Sequence, residues 1–254
     1  MIYNPYSLQG KSILVTGASS GIGRVTAIEC SRLGASVFVT GRNVERLLDT
    51  YNSLSTEFDG QHKYCISDLT NSEDVDRLID EMPLLDGVAL CAGKGMNLPL
   101  RNVKKNKLTE IFEVNFFAPV ELIRLLLYKK KINKPSSIVV ISSVGGNYLF
   151  EPGNGVYGAT KASLNSYVKF AASELAVRQT RVNAVCPGMV ETPLIHRGIF
   201  TEEQLEEDAK KYPLKRYGQP IDVALAVIYL LSDASSWVTG TSLVVDGGIS
   251  INSK

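Results

Sequence analysis

Tyr157 and Lys161 stand four positions apart. If the segment 157–176 is helical, both side chains project from one face. An ammonium held beside a phenol stabilises the phenolate and lowers its pKa, so the tyrosine becomes usable as an acid/base near neutral pH. The spacing alone is common, and on a surface helix it would do no chemistry; the surroundings give it weight. Upstream, the apolar run Ile138-Val139-Val140-Ile141 leads into Ser142-Ser143, where a hydroxyl is placed to hydrogen-bond a carbonyl oxygen. Downstream, Val182-Asn183-Ala184-Val185 leads into the turn Cys186-Pro187-Gly188.

A second constellation lies near the start of the chain, Thr16-Gly17-Ala18-Ser19-Ser20-Gly21-Ile22-Gly23. Gly17, Gly21 and Gly23 permit a tight turn from a strand into a helix. There the backbone N–H groups of Ser19, Ser20, Gly21 and Ile22 would approach a pyrophosphate. The spacing is G-x-x-x-G-x-G, and it acquires meaning from its position after the first apolar run. The second run ends in Thr40-Gly41-Arg42-Asn43. A carboxylate at that point would bind both adenosine ribose hydroxyls and repel a 2′-phosphate. Here there is none, and the Arg42 guanidinium suits a phosphate through paired N–H donors. NADP(H) is expected ahead of NAD(H), with Cys186-Pro187-Gly188 flanking the nicotinamide.

The elements that position these residues read as short β-branched runs alternating with helix-like stretches. Seven runs, at 12–15, 37–40, 64–66, 88–91, 138–141, 182–185 and 243–245, are mostly continuous rather than alternating, the pattern of strands buried on both faces. Strand–helix alternation implies right-handed crossovers and a parallel sheet, hence an α/β, doubly wound single domain with about seven strands and helices on both faces. The charged stretch 189–218 breaks the rhythm and reads as an excursion over the strand carboxyl ends, a lid. The chain has 254 residues and a net charge of +1, with 44% hydrophobic and 21% charged residues. That balance gives no reason to expect nucleic acid or an anionic membrane as a partner. Four cysteines without a CxxC pair and only two histidines argue against a disulfide framework or a metal site. No run reaches the roughly 18 apolar residues of a membrane span, and the N-terminal MIYNPYSLQGK lacks the apolar core of a secretory signal. A cytoplasmic protein is expected.

Taken in order, the 16–23 turn, Asp68-Leu69, Ala92-Gly93, Asn115, Ser143, Tyr157, Lys161, Pro187-Gly188-Met189, Thr192 and Asp246-Gly247-Gly248 resemble the short-chain dehydrogenase/reductase family over nearly the whole chain. Within it, the overall pattern is nearest to reductases of 3-oxoacyl groups on carrier proteins. The resemblance implies a Rossmann-type sheet in the order 3-2-1-4-5-6-7 and hydride exchange between a nicotinamide and a carbonyl or secondary alcohol. It makes Tyr157 the acid/base, and gives Lys161 the nicotinamide ribose and the tuning of the tyrosine. Ser143 would orient the substrate oxygen and Asn115 support a proton relay. Asp68 would meet adenine, with Leu69, Ala92 and Gly93 along the cofactor. Thr192 would meet the nicotinamide-side phosphate or carboxamide.

The chain departs from the family pattern in three places. Leu90-Cys91 replaces the usual Asn-Asn, which makes Cys91 a small buried hydrophobe. Ser143 lies fourteen positions before Tyr157, where thirteen is usual, and Ser142 stays a contender. Ser20 stands where NADP-preferring members often carry a basic residue, so the cofactor expectation rests on Arg42. Two other classes compete. A catalytically silent dinucleotide sensor or scaffold would tolerate loss of Tyr157 or Lys161. A nucleotide-sugar epimerase would need a longer segment after Gly188. The expected substrate is a small carbonyl or alcohol, free or carrier-protein-bound; Lys104-Lys105-Asn106-Lys107 and Lys129-Lys130-Lys131 are candidate basic patches for an acidic carrier. Leu194, Ile195, Phe200 and Tyr217 are the candidate substrate contacts. The resemblance also implies that the helices expected over 115–127 and 157–176 pack against symmetry mates; the apolar residues from Phe116 to Leu127 accord with that, and a homotetramer or at least a dimer is expected.

Overall fold

Seven parallel strands form one sheet in the order β3-β2-β1-β4-β5-β6-β7. They are β1 (Ser12–Thr16), β2 (Ser36–Gly41), β3 (Lys63–Ile66), β4 (Leu85–Leu90), β5 (Ile132–Ile141), β6 (Thr180–Pro187) and β7 (Ser242–Val245). The computed structural model describes residues 3–196 and 201–251; Phe200, a candidate substrate contact, lies outside them. Every run read as a strand is one, and the reversal of strand order between β1 and β4 opens the crevice in which α/β sheets hold ligands.

Register explains why the strands read as continuous apolar runs. Leu14, Val88, Ile138 and Val182 are aligned across β1, β4, β5 and β6. Their shared face is covered by helices α3 (Ser72–Glu81), α5 (Ala118–Tyr128) and α6 (Gly155–Leu175), through Leu78, Ile79, Leu122, Leu126 and Val168. The opposite face, with Val15, Val37, Val39 and Ala89, is covered by α1 (Gly21–Arg32), α2 (Val44–Asn52) and α8 (Pro220–Leu231) through Ala27, Leu47, Val223, Val227 and Leu231. Both faces are dry, so both sets of alternating side chains must be apolar.

Two expectations need correction. The helix expected over 115–127 is interrupted: α4 (Lys105–Phe112) is followed by a π-helical turn over Glu113–Phe117, and only then does α5 begin. Pro119 supplies the cause. It has no N–H to return to the carbonyl four residues back, that of Asn115, and its ring crowds that carbonyl, so the ladder widens by one residue. The second basic patch also belongs elsewhere. Lys129, Lys130 and Lys131 join the end of α5 to the start of β5, at the amino edge of the sheet. Lys131 Nζ donates to the Met82 carbonyl at 2.9 Å.

The excursion over 189–218 does leave the sheet. It carries α7 (Glu202–Ala209), which Thr201 and Gln204 cap reciprocally. Its own small core is Leu205, Tyr212 and Tyr217, with Met189 and Ile195 against them.

Candidate active site

The β1–α1 turn is built for close approach. Gly17 has φ +64°, and a Cβ there would lie 2.8 Å from the Ala92 backbone. A Cβ at Gly23 would lie 2.5 Å from the Gly17 carbonyl oxygen. The first turn of α1 thus sits directly on the strand end that feeds it. α1 begins after Ser20 without a side-chain cap and without an acidic residue in its first turn, so its leading N–H groups and positive dipole end are offered to an anion. Ser19 lies under the β2 end, 3.3 Å from where a Gly41 side chain would start. Thr192 comes down onto the same turn, its Cγ2 3.1 Å from a Cβ position on Gly21. Ile22 and Gly93 line the cavity that continues from it. These residues fit a dinucleotide pyrophosphate.

Arg42 and Asp68 meet at the ends of β2 and β3, Nη1 to Oδ2 at 3.5 Å. Burial raises the Asp68 carboxyl, but hydrogen bonds from Thr70 and the nearby guanidinium outweigh it and hold the group below its ordinary value. The Leu69 side chain packs into the core beside them.

Tyr157, Lys161, Ser143 and Asn115 converge at the carboxyl ends of β4 and β5. α6 carries Tyr157 and Lys161 on one face, with the Lys161 Nζ 5.8 Å from the centre of the Tyr157 ring. That ammonium is buried, donates to the Ile141 carbonyl at 2.8 Å, and is pushed down to about 8 by burial. The sequence reading expects Lys161 to pull the phenol down. In the structure burial dominates and raises the Tyr157 phenol, with the Ser143 hydroxyl beside it pulling partly back. The two serines also separate. Ser142 is buried and its hydroxyl donates to the Lys161 carbonyl at 3.0 Å, which commits it to holding α6. Ser143 also lines the cavity, where its hydroxyl accepts from Gly145 N at 3.1 Å and lies beside the Tyr157 phenol.

Asn115 is fully buried in the π-helical turn. Its amide clamps Lys94 on both sides, accepting from Lys94 N at 2.8 Å and donating to Lys94 O at 2.9 Å. A further bond reaches Thr160 Oγ1 at 3.2 Å, so Asn115 joins the loop after β4 to α6. Cys91 packs against the α1-side core, and burial pushes its thiol up to about 12, which leaves it inert at neutral pH.

Sequence reasoning missed several roles, some of them at residues it had already placed in a motif. Thr16 is one: its hydroxyl accepts from both Cys91 N at 3.1 Å and Ala92 N at 3.2 Å, and so ties β1 to the loop after β4. A threonine ending a buried strand beside a glycine turn was the available signal. Lys94 and Glu110, paired by their side chains, are a second miss. Tyr212 is a third, with its hydroxyl accepting from Met189 N at 3.0 Å and fixing the chain just past Pro187-Gly188. Tyr217 is buried and its hydroxyl donates to Asp208 at 2.8 Å, so this candidate substrate contact offers its ring.

Ile22, Gly93, Ser143, Tyr157, Lys161, Gly188 and Thr192 open on a cavity of about 820 Å³. Tyr157, Lys161 and Ser143 form its floor, and Leu194, Ile195 and Leu205 line the excursion side. Among the described residues no cluster of His, Cys, Asp and Glu could hold a metal ion, and no helix is long and apolar enough to cross a membrane.

Comparison with known proteins agrees with this geometry. A family profile described as enoyl-(acyl carrier protein) reductase matches residues 17–250. The 3-oxoacyl-[acyl-carrier-protein] reductase FabG of Rickettsia felis is 35% identical over 242 residues, covering 95% of this chain and 98% of its own. A glucose 1-dehydrogenase of Gluconobacter oxydans is 31% identical, covering 95% and 92%. Among solved structures, the Pseudomonas aeruginosa RhlG/NADP active-site complex superposes with a TM-score of 0.89 at 27% identity, over 98% of this chain and all of that one. Ordered motifs, sheet topology and these similarities together place the chain in the short-chain dehydrogenase/reductase family, as an oxidoreductase of CH–OH and C=O groups.

Proposed function

We propose that this chain is an NADP(H)-dependent carbonyl reductase or alcohol dehydrogenase with Tyr157 as its acid/base. The observation that carries the reading is the meeting of Tyr157, buried Lys161 and Ser143 on one cavity that reaches Ile22 at the start of α1 and Thr192, which packs on Gly21. When bound, the nicotinamide would supply or accept the hydride at the substrate carbon. Ser143 orients the substrate oxygen, and the Tyr157 hydroxyl gives its proton to that oxygen in reduction and takes it back in oxidation. Lys161 holds the nicotinamide ribose and, as an ammonium, favours the phenolate that proton transfer leaves behind. Asn115 keeps the loop after β4 docked on α6 and supports proton supply along it.

Arg42 supports the choice of NADP(H), as does the NADP named with the Pseudomonas structure. A cytoplasmic site of action belongs to the same reading. The substrate is a carbonyl or secondary alcohol, free or delivered on a carrier protein. For an acidic carrier, Lys104 and Lys105 are the basic residues on the correct side, since they begin α4 beyond the carboxyl end of β4; Lys107 is paired with Glu110. A silent sensor would have no use for an ammonium buried beneath a phenol.

The test is a stopped or continuous NADPH-oxidation assay over a panel of carbonyls with wild type and Tyr157→Phe. The variant should bind NADPH with near wild-type affinity while kcat falls about 10²–10⁴-fold. Undiminished turnover would remove Tyr157 from this role, and no turnover of any carbonyl by the wild type would favour the sensor.

A further inference from the structure

We propose that Asp68 sets how strongly the chain prefers the phosphorylated dinucleotide, by holding the Arg42 guanidinium in an internal ion pair. The inference rests on Arg42 as the 2′-phosphate contact. Its basis is the register of the sheet edge. Gly41 is aligned with Ile66, and Ser67 N donates to the Gly41 carbonyl at 3.2 Å, so the residues leaving β2 and β3 emerge side by side. Arg42 and Asp68 are the charged side chains at those two exits.

The pair is asymmetric. Asp68 is anchored: its Oδ1 accepts from Thr70 N at 3.0 Å and from Thr70 Oγ1 at 2.8 Å, which leaves Oδ2 turned to Arg42. Its own N–H is held by Asp74 Oδ2 at 2.8 Å. Arg42 is 66% exposed, and among the described residues Asp68 is its only charged partner. The guanidinium therefore goes where the fixed carboxylate draws it.

A 2′-phosphate arriving at Arg42 meets a cation already paired with a carboxylate, and its own negative charge comes within a few ångströms of Asp68. At a partly exposed site such a repulsion amounts to roughly 3–10-fold in affinity, and salt weakens it. A dinucleotide with a free 2′-hydroxyl brings no charge and feels none of it. Asp68 thus acts as a brake on selectivity, a positioning residue that works through Arg42.

Asp68→Asn removes the charge and keeps a side-chain carbonyl for Thr70. Calorimetric titration of wild type, Asp68→Asn, Arg42→Ala and the double variant with 2′,5′-ADP and with 5′-ADP measures the phosphate contact without turnover. The readout is the ratio of the two affinities, in which any adenine-side effect of Asp68 cancels. Asp68→Asn should raise the ratio about 3–10-fold at low salt, with less gain at high salt. In the Arg42→Ala background the same substitution should change it less than about twofold. An unchanged or lowered ratio in Asp68→Asn overturns the brake, as does a full gain that persists without Arg42. If Arg42→Ala leaves the ratio at its wild-type value, the 2′-phosphate contact itself fails and the proposal falls with it, an outcome distinct from the other two.

Discussion

At the scale of single residues, burial does more to this site than charge. The Lys161 ammonium is driven down to about 8 from an ordinary 10.5, and the Tyr157 phenol is driven up. For Lys161 the consequence for stability has a definite sign. In the unfolded chain the amine stays protonated up to its ordinary value, whereas the folded chain sheds its proton near 8. Between those two values the unfolded state binds more protons, so stability rises with pH across that window. Below about 8 both states are charged and the burial penalty is felt in full. Wild type measured against Lys161→Met by urea melts at a series of pH values should gain up to roughly 3 kcal/mol between pH 8 and 10.5. A difference flat across that window would mean the ammonium is not held in a low-dielectric site.

Elements set where those residues meet, and here sequence and structure can be compared directly. All seven strands were legible because both faces of the sheet are dry and leave the strands no polar positions. The glycine turn was legible as well, because so few residue types can occupy it. Less legible was the π-helical turn holding Asn115. Periodicity runs through it, and its one local signal, Pro119, is also permitted in the first turn of an ordinary helix. The choice between Ser142 and Ser143 needed the partner atom, a carbonyl on α6 nineteen positions away in sequence. Placing the lysines at 129–131 needed the topology, because distance from the site is not written in a charge run.

The turn itself gives a test that separates backbone strain from lack of space. Gly10 and Gly17 both have positive φ, +78° and +64°, but a Cβ at Gly10 meets nothing within 4 Å, while one at Gly17 runs into Ala92 at 2.8 Å. Gly10→Ala should cost about 1–2 kcal/mol, the left-handed conformation alone. Gly17→Ala should cost about 2–5 kcal/mol, strain plus overpacking, and should lower Tm by several degrees more. Equal losses by differential scanning calorimetry would mean the β1–α1 turn yields where the geometry says it cannot.

For the whole molecule the open matter is what covers the outer face of α5 and α6. Much of the apolar surface between Phe116 and Leu127 is spent internally: Leu122, Ile123 and Leu126 are buried in the core, and Phe116 packs edge-on to Phe117 and Tyr167. What remains outside is Phe117 at the end of the π-helical turn, Tyr128 at the end of α5 and Phe170 on α6, the last 74% exposed. These exposed rings give a second copy apolar surface to cover, and a net charge of +1 sets up little repulsion between copies. Self-association through this face would bury the rings and leave the cavity residues Tyr157 and Lys161 untouched. Light scattering at micromolar concentration should therefore give a particle of two or four times the 27.7 kDa chain mass. Phe170→Glu should shift it towards smaller species, because a charge placed at a two-fold contact meets its own copy. A single 27.7 kDa particle from the wild type would refute the assembly. An oligomer indifferent to Phe170→Glu would place the contact elsewhere, with exposed Leu225 on α8 and Trp237 ahead of β7 as the next face to substitute.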